Sequence, residues 1–127
     1  MPASARPRIL VVDDYADATD VWALYLGSVG FDVDTASDGH EAIAKVRSHP
    51  PDVVVLDLNL PGCSGIEVAR ALRADAHVQH VLLIAVTGSA DRRELERARE
   101  LFQAVVPKPC DPAQLVTSIR RLLDSTG

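Results

Sequence analysis

Two cysteines in 127 residues, Cys63 and Cys110, are too few for a disulfide framework or a four-ligand zinc cluster. Long hydrophobic runs are missing as well. The longest, residues 81–86, falls far short of the ~20 apolar residues a membrane-spanning helix needs. The amino end, Met1-Pro2-Ala3-Ser4-Ala5-Arg6-Pro7-Arg8, lacks the apolar centre of a secretory signal. Positive charge is in deficit: 13 Lys plus Arg face 18 Asp plus Glu, giving a formal net charge of −5. A domain that gripped nucleic acid by neutralising phosphates would carry the opposite sign, so neither a direct nucleic-acid partner nor a membrane partner is expected. No internal repeat, low-complexity tract or linker interrupts the chain. With 47% hydrophobic and 24% charged residues, the composition is that of an ordinary globular domain, and the length suffices for one core. The expectation is a single cytoplasmic domain over residues 8–124, between a flexible tail at 1–7 and a short one at 125–127.

What the chain does contain is an alternation of two periods. Short runs rich in Val, Ile and Leu at 9–12, 31–35, 53–56, 82–86 and 104–106 predict strands. Several are continuously apolar, which suits strands covered on both faces by helices. The second, Phe31-Asp32-Val33-Asp34-Thr35, alternates and suits an edge. Helical spacing fills the gaps between them. Ser64 with Glu67 forms a capping box, Asp111-Pro112 opens a last helix striped by Leu115, Ile119, Leu122 and Leu123, and Gly30 ends the first. Repeated β-α order predicts a doubly wound α/β domain with a five-stranded parallel sheet and five helices. Ligands of such folds bind beyond the carboxyl ends of the strands.

Those ends carry polar groups of specific kinds. Asp13 and Asp14 follow the first strand, Asp57 the third, Thr87 the fourth and Lys108 the fifth. On a parallel sheet they converge at one edge. Crowded carboxylates there repel one another, which a divalent cation relieves; Mg²⁺ favours one or two carboxylates plus water and a substrate phosphate. A lysine ammonium and a threonine hydroxyl suit phosphoryl oxygens. Together these groups describe a phosphoryl-handling site with a carboxylate nucleophile. Each has a plainer alternative: Asp13-Asp14 as caps of the first helix, Asp57 as a turn residue, Thr87 as a strand-end hydroxyl, Lys108 as a solvated amine.

The segments Ile9-Leu10-Val11-Val12-Asp13-Asp14, Val55-Leu56-Asp57-Leu58-Asn59-Leu60-Pro61-Gly62-Cys63-Ser64-Gly65, Val86-Thr87-Gly88 and Lys108-Pro109, in this order, resemble the receiver domains of two-component response regulators. The resemblance implies the flavodoxin-like strand order 2-1-3-4-5. It also implies that Asp57 accepts a phosphoryl group from a sensor histidine kinase or a histidine phosphotransfer domain. Mg²⁺ would then be held by Asp14 and Asp57, by Asp13 mostly through water, and by the backbone carbonyl of Asn59. Lys108 would contact the phosphoryl group, Thr87 would report its presence, and the Lys108-Pro109 bond would be cis. Catalysis would extend no further than the domain's own phosphorylation and dephosphorylation. Output would run through contacts with a downstream protein or an effector outside this chain, since no helix-turn-helix follows Gly127 and the charge offers no DNA footprint. Pairing of two copies through the fourth and fifth helices is compatible with the sequence.

Departures from the family pattern are few. Many receivers place Tyr or Phe three residues before the lysine; Val105 stands there and has no ring to bury or expose. Cys63 and Cys110 replace residues more usual at their positions and touch none of the implied chemistry. An alternative function is a Mg²⁺-dependent phosphatase with an aspartyl nucleophile. That family needs a second aspartate two residues on as its general acid, where this chain has Asn59. A nucleotide- or flavin-binding module would need a glycine-rich phosphate loop after the first strand, and Asp13-Asp14-Tyr15 would repel phosphate there. Asp91 to Glu100 carries four cations against four anions, which suits a solvated helix face. His40, His49, His77 and His80 lack metal-ligand spacing, and Trp22 and Tyr25 are expected to pack.

Overall fold

A computed structural model describes residues 6–108 and 111–126; residues 1–5 of the tail expected at 1–7, the Lys108-Pro109 bond, Cys110 and Gly127 lie outside them. Among the described residues five strands and five helices alternate: β1 Arg8–Val12, α1 Ala16–Ser28, β2 Asp32–Ala36, α2 Gly39–Ser48, β3 Val53–Asp57, α3 Gly65–Ala74, β4 Leu82–Thr87, α4 Arg92–Leu101, β5 Ala104–Pro107 and α5 Pro112–Thr126. The strands form one sheet in the order β2-β1-β3-β4-β5, every neighbouring pair parallel.

Residue type decides each strand's place. Every residue of β3 and β4 is buried, as continuous apolar runs sandwiched between helices must be. In β2 exposed Asp32 and Asp34 alternate with residues turned inward, and β2 is indeed an edge. Because side chains alternate across the pleat, the sheet builds two cores. Leu10, Val54, Leu56 and Leu83 meet α2, α3 and α4 through Val46, Leu72 and Ala98. Val11, Val53, Val55 and Ile84 meet α1 and α5 through Leu26, Leu115 and Ile119.

Helix starts are fixed by side chains of the expected kind. Asp38 accepts from the Glu41 amide, Ser64 from Glu67, and Asp91 from Arg93 and Glu94, each satisfying orphan N–H groups. α1 is different: its N-cap is Tyr15, which makes no side-chain cap bond, so Asp13 and Asp14 are not its N-cap. At the other end of α1, Gly30 takes φ 109°, and the Phe31 amide returns to the Leu26 carbonyl at 3.1 Å, turning the chain into β2. Before β1, Arg6 donates to the carbonyls of Gly30 and Gly27, and Pro7 accepts from the Asp32 amide.

Opposite the carboxyl edge lies a polar clasp. Arg73 of α3 donates to the carbonyls of Leu101, Gln79 and Val81 and to Gln103 Oε1, which also accepts from the Leu83 amide. Burial pulls the Arg73 pKa below its ordinary value, but so many acceptors keep the charge in place. Arg73→Met keeps the aliphatic stem and orphans these acceptors. It is expected to cost about 2–3 kcal/mol in chemical denaturation while leaving chemistry at the far edge unchanged.

Candidate functional site

β1, β3 and β5 deliver their acidic and cationic residues to one edge because parallel strands all point the same way. Asp57 is the last residue of β3, paired in register with Val86, and is only 7% exposed. Its two oxygens are held from different sides. Oδ1 accepts from the Asn59 amide at 2.9 Å, and Oδ2 accepts from the Lys108 ammonium at 2.6 Å. Lys108 also stands 3.9 Å from Asp13 Oδ2. Asp13 accepts from the Tyr15 amide, and Asp14 beside it is exposed.

Asp13, Asp14 and Asp57 each offer a carboxylate oxygen within 4.8 Å of the other two. Three anions against one ammonium is an unbalanced pocket, and the pKa shifts register it. Burial, opposed by the Tyr15 amide and reinforced by the charge of Asp57, raises the Asp13 pKa above its ordinary 3.8. For Lys108, burial acts downward, but the hydrogen bond and charge of Asp57, with Asp13 and Asp14 behind it, lift its pKa overall. The donor set fits a hard divalent cation: carboxylate oxygens, at least one of them open to solvent, with room for water. It also fits a phosphoryl group, whose charge the ammonium and the cation would share.

Thr87 is buried at the end of β4, with Oγ1 accepting from the Ser89 amide at 3.0 Å. Its own carbonyl accepts from the Lys108 amide at 2.8 Å, so the two residues lean on one another through the backbone. Asp57 and Thr87, expected just beyond their strands, are the last residues within them, because the sheet ladder continues one step past the apolar run. Asn59 is exposed and meets Asp57 through its amide. Val105 is half-buried against the α2–α4 core. Trp22, read from the sequence as a packing residue, packs against the α1/α5 core and also walls a cavity of about 420 Å³ that includes Val11, Val55, Asp13, Asp57 and Lys108. Its spacing four residues after Ala18, another wall residue, was the only signal for this in the sequence.

Fold and site define a doubly wound α/β domain with an acidic pocket and a conjoined lysine at its carboxyl edge. The chain belongs to the response regulator receiver domain family, which it matches over residues 9–120. It is 42% identical over 119 residues to the DNA-binding response regulator MtrA of Mycobacterium tuberculosis, covering 93% of this chain and 51% of MtrA. It is 37% identical to the transcriptional regulatory protein PrrA of Mycobacterium bovis, covering 95% of this chain and 52% of PrrA. The chain thus spans about half the length of the curated relatives it matches. The receiver domain protein (CheY-like) of Methanospirillum hungatei superposes with a TM-score of 0.90 at 26% identity, over 95% of this chain and 96% of that one. A receiver protein of Pseudomonas putida gives 0.87 at 29% identity, over 92% and 98%. Receivers bind a divalent cation at acidic residues, and the three aspartates form such a cluster. Among the described residues no helix is long and apolar enough to cross a membrane.

These relatives correct one expectation. The net charge of −5 argued against a direct nucleic-acid partner, yet proteins 42% identical to this chain are named as DNA-binding. Charge summed over a segment describes that segment's own surface and says nothing of what longer proteins carry elsewhere.

The raised pKa of Asp13 has a stability consequence. An acid whose pKa is higher folded than unfolded destabilises the fold wherever it must ionise, above the raised value, and the penalty vanishes below the unfolded value of 3.8. Asp13→Asn is therefore expected to raise the melting temperature of the metal-free protein at pH 7. That gain should shrink as pH falls toward 4 and as Mg²⁺ is added, both followed by calorimetry.

Proposed function

We propose that Asp57 accepts a phosphoryl group from a phosphohistidine donor, with Mg²⁺ as cofactor, and that the resulting aspartyl phosphate controls a binding surface. The observation that carries this reading is the state of the Asp57 carboxylate. It is buried at the end of a central strand, with one oxygen fixed by the Asn59 amide and the other by the Lys108 ammonium. In the transfer, an oxygen of Asp57 forms a bond to phosphorus as the phosphorus–nitrogen bond of the donor breaks, its electron pair returning to the imidazole. Asp14 and Asp57 would hold Mg²⁺ directly, Asp13 mostly through water, and the Asn59 carbonyl would complete the protein's share. When bound, the ion supplies positive charge to neutralise phosphoryl oxygens.

Lys108 then changes partners. Its ammonium, 2.6 Å from a carboxylate oxygen in the unphosphorylated protein, is placed to follow the new charge on the phosphoryl group. Phosphorylation adds about one to two negative charges, enough to draw the Thr87 hydroxyl inward from its contact with the Ser89 amide. The protein acts as a signalling module of the cytoplasm, its only chemistry being its own phosphorylation and dephosphorylation. Relatives named as DNA-binding and about twice as long support an output in which phosphorylation here governs DNA binding by a portion outside this chain. The phosphatase alternative has less support, because Asn59 has no acidic proton to give a leaving group.

Asp57→Asn is expected to abolish labelling by acetyl phosphate and by a phosphorylated histidine kinase, with circular dichroism unchanged. Retained labelling would place the acceptor elsewhere. Release of inorganic phosphate from small phosphate esters by the unaltered protein would restore the phosphatase reading.

A further inference from the structure

We propose that Gly39 and Gly65 are positioning residues of the acidic site, a deduction that rests on the function proposed above. The loop from Leu58 to Ser64 joins β3 to α3 and carries Asn59, whose amide fixes Asp57 Oδ1. Two helices close on this loop without side chains between. Gly65, the first residue of α3, donates its N–H to the Leu58 carbonyl at 3.0 Å. A Cβ at Gly65 would lie 2.7 Å from the Asp57 carbonyl oxygen and 2.7 Å from Leu58 Cα. Gly39, the first residue of α2, meets the loop's far end: a Cβ there would lie 2.7 Å from the Cys63 carbonyl oxygen, 2.8 Å from Cys63 Cβ and 2.8 Å from Val68 Cγ2 of α3.

These approaches are closer than real Cβ atoms make, and three of the five partners are backbone atoms that no rotamer can move aside. The other described glycines have different reasons to be glycine, or none. Gly30 and Gly62 take positive φ with open space around them, Gly27 has nothing within 4 Å, and Gly88 would make an ordinary contact. The two positions where proximity alone excludes a side chain both bear on the one loop that follows the phosphoacceptor. A methyl group at either must displace that loop. The Asn59 amide then leaves Asp57 Oδ1, and the Asn59 carbonyl leaves the place proposed for it beside the metal.

The test compares Mg²⁺ affinity by isothermal titration calorimetry and the rate of Asp57 labelling by acetyl phosphate. The proteins are the unaltered chain, Gly39→Ala, Gly65→Ala, Gly27→Ala, and each of the first two combined with Gly27→Ala. Gly39→Ala and Gly65→Ala are expected to weaken Mg²⁺ binding and slow labelling about tenfold or more, with Gly27→Ala leaving both unchanged. Because alanine is the better helix former at the open Gly27 site, the combined variants should recover melting temperature without recovering Mg²⁺ affinity. Unaltered Mg²⁺ affinity in both single variants overturns the proposal, and so does affinity that returns together with melting temperature. If one variant fails to fold even with Gly27→Ala, the other decides alone. Failure of both to fold overturns the proposal too, since the glycines would then serve the fold rather than the site. An unaltered chain that neither binds Mg²⁺ nor is labelled would instead remove the proposed function itself.

Discussion

The contact between Lys108 and Asp57 holds together a pocket that electrostatics alone would push apart. Three carboxylates lie within 4.8 Å of one another, and one ammonium, 2.6 Å from Asp57, must offset them. Burial makes the imbalance matter, because charges shielded from water interact more strongly. The same burial raises the Asp13 pKa and would lower that of Lys108 were the acids not opposing it. Under the proposed function the imbalance has a use, because the pocket is organised for charges that arrive from outside. There a divalent cation would relieve the repulsion, and a phosphoryl group would give the ammonium a new partner. The fold offsets the repulsion at the site through two apolar cores on either side of the sheet.

Topology explains why a lysine fills this role. β5 is two places from β3, so a side chain leaving β5 must cross the end of β4 to reach Asp57. Lys108 does so with a long flexible stem, its backbone amide resting on the Thr87 carbonyl at 2.8 Å. The strand it crosses is therefore the one carrying the buried hydroxyl. Asp13 and Asp14 need no such reach, since β1 is the direct neighbour of β3. Placing β1 and β3 together at the centre, with helices on both faces, puts the acids in the crevice where doubly wound sheets bind their ligands.

Much of this was legible in the sequence because strand burial and strand-end chemistry leave marks on residue type. Continuous apolar runs located β3 and β4, alternation located the β2 edge, and the polar residues after the runs marked side chains that the fold gathers at one edge. Strand limits moved by a residue or so, as at Asp57 and Thr87, since pairing in the ladder extends beyond what apolarity marks. The Arg73–Gln103 clasp left no such mark: an arginine and a glutamine 30 residues apart read as solvated surface until the fold joins them. Gly39 and Gly65 were equally silent, because a glycine at a helix start reads as punctuation whether or not another backbone lies against it. The charge argument against nucleic acid failed for a different reason. It read the charge of this chain alone, and a chain half the length of its relatives carries no mark of what they hold elsewhere.

Val105 sets a physical limit on how a signal can leave the site. It is half-buried against the α2–α4 core and offers no aromatic ring to move between buried and exposed positions. Under the proposed function the change must then travel through what Thr87 already touches. Its Oγ1 accepts from the Ser89 amide, and Ser89 in turn accepts from the Asp91 amide, one residue before α4 begins. Asp91 caps that helix through the Arg93 and Glu94 amides. α4 itself is lightly anchored, Ala98 being its one buried residue among those described, and a helix with so little buried apolar surface is inexpensive to shift. Under the proposed function, a short relay of amides donating to the side chains of Thr87, Ser89 and Asp91, ending on a helix with one buried residue among those described, would take the place of the missing ring.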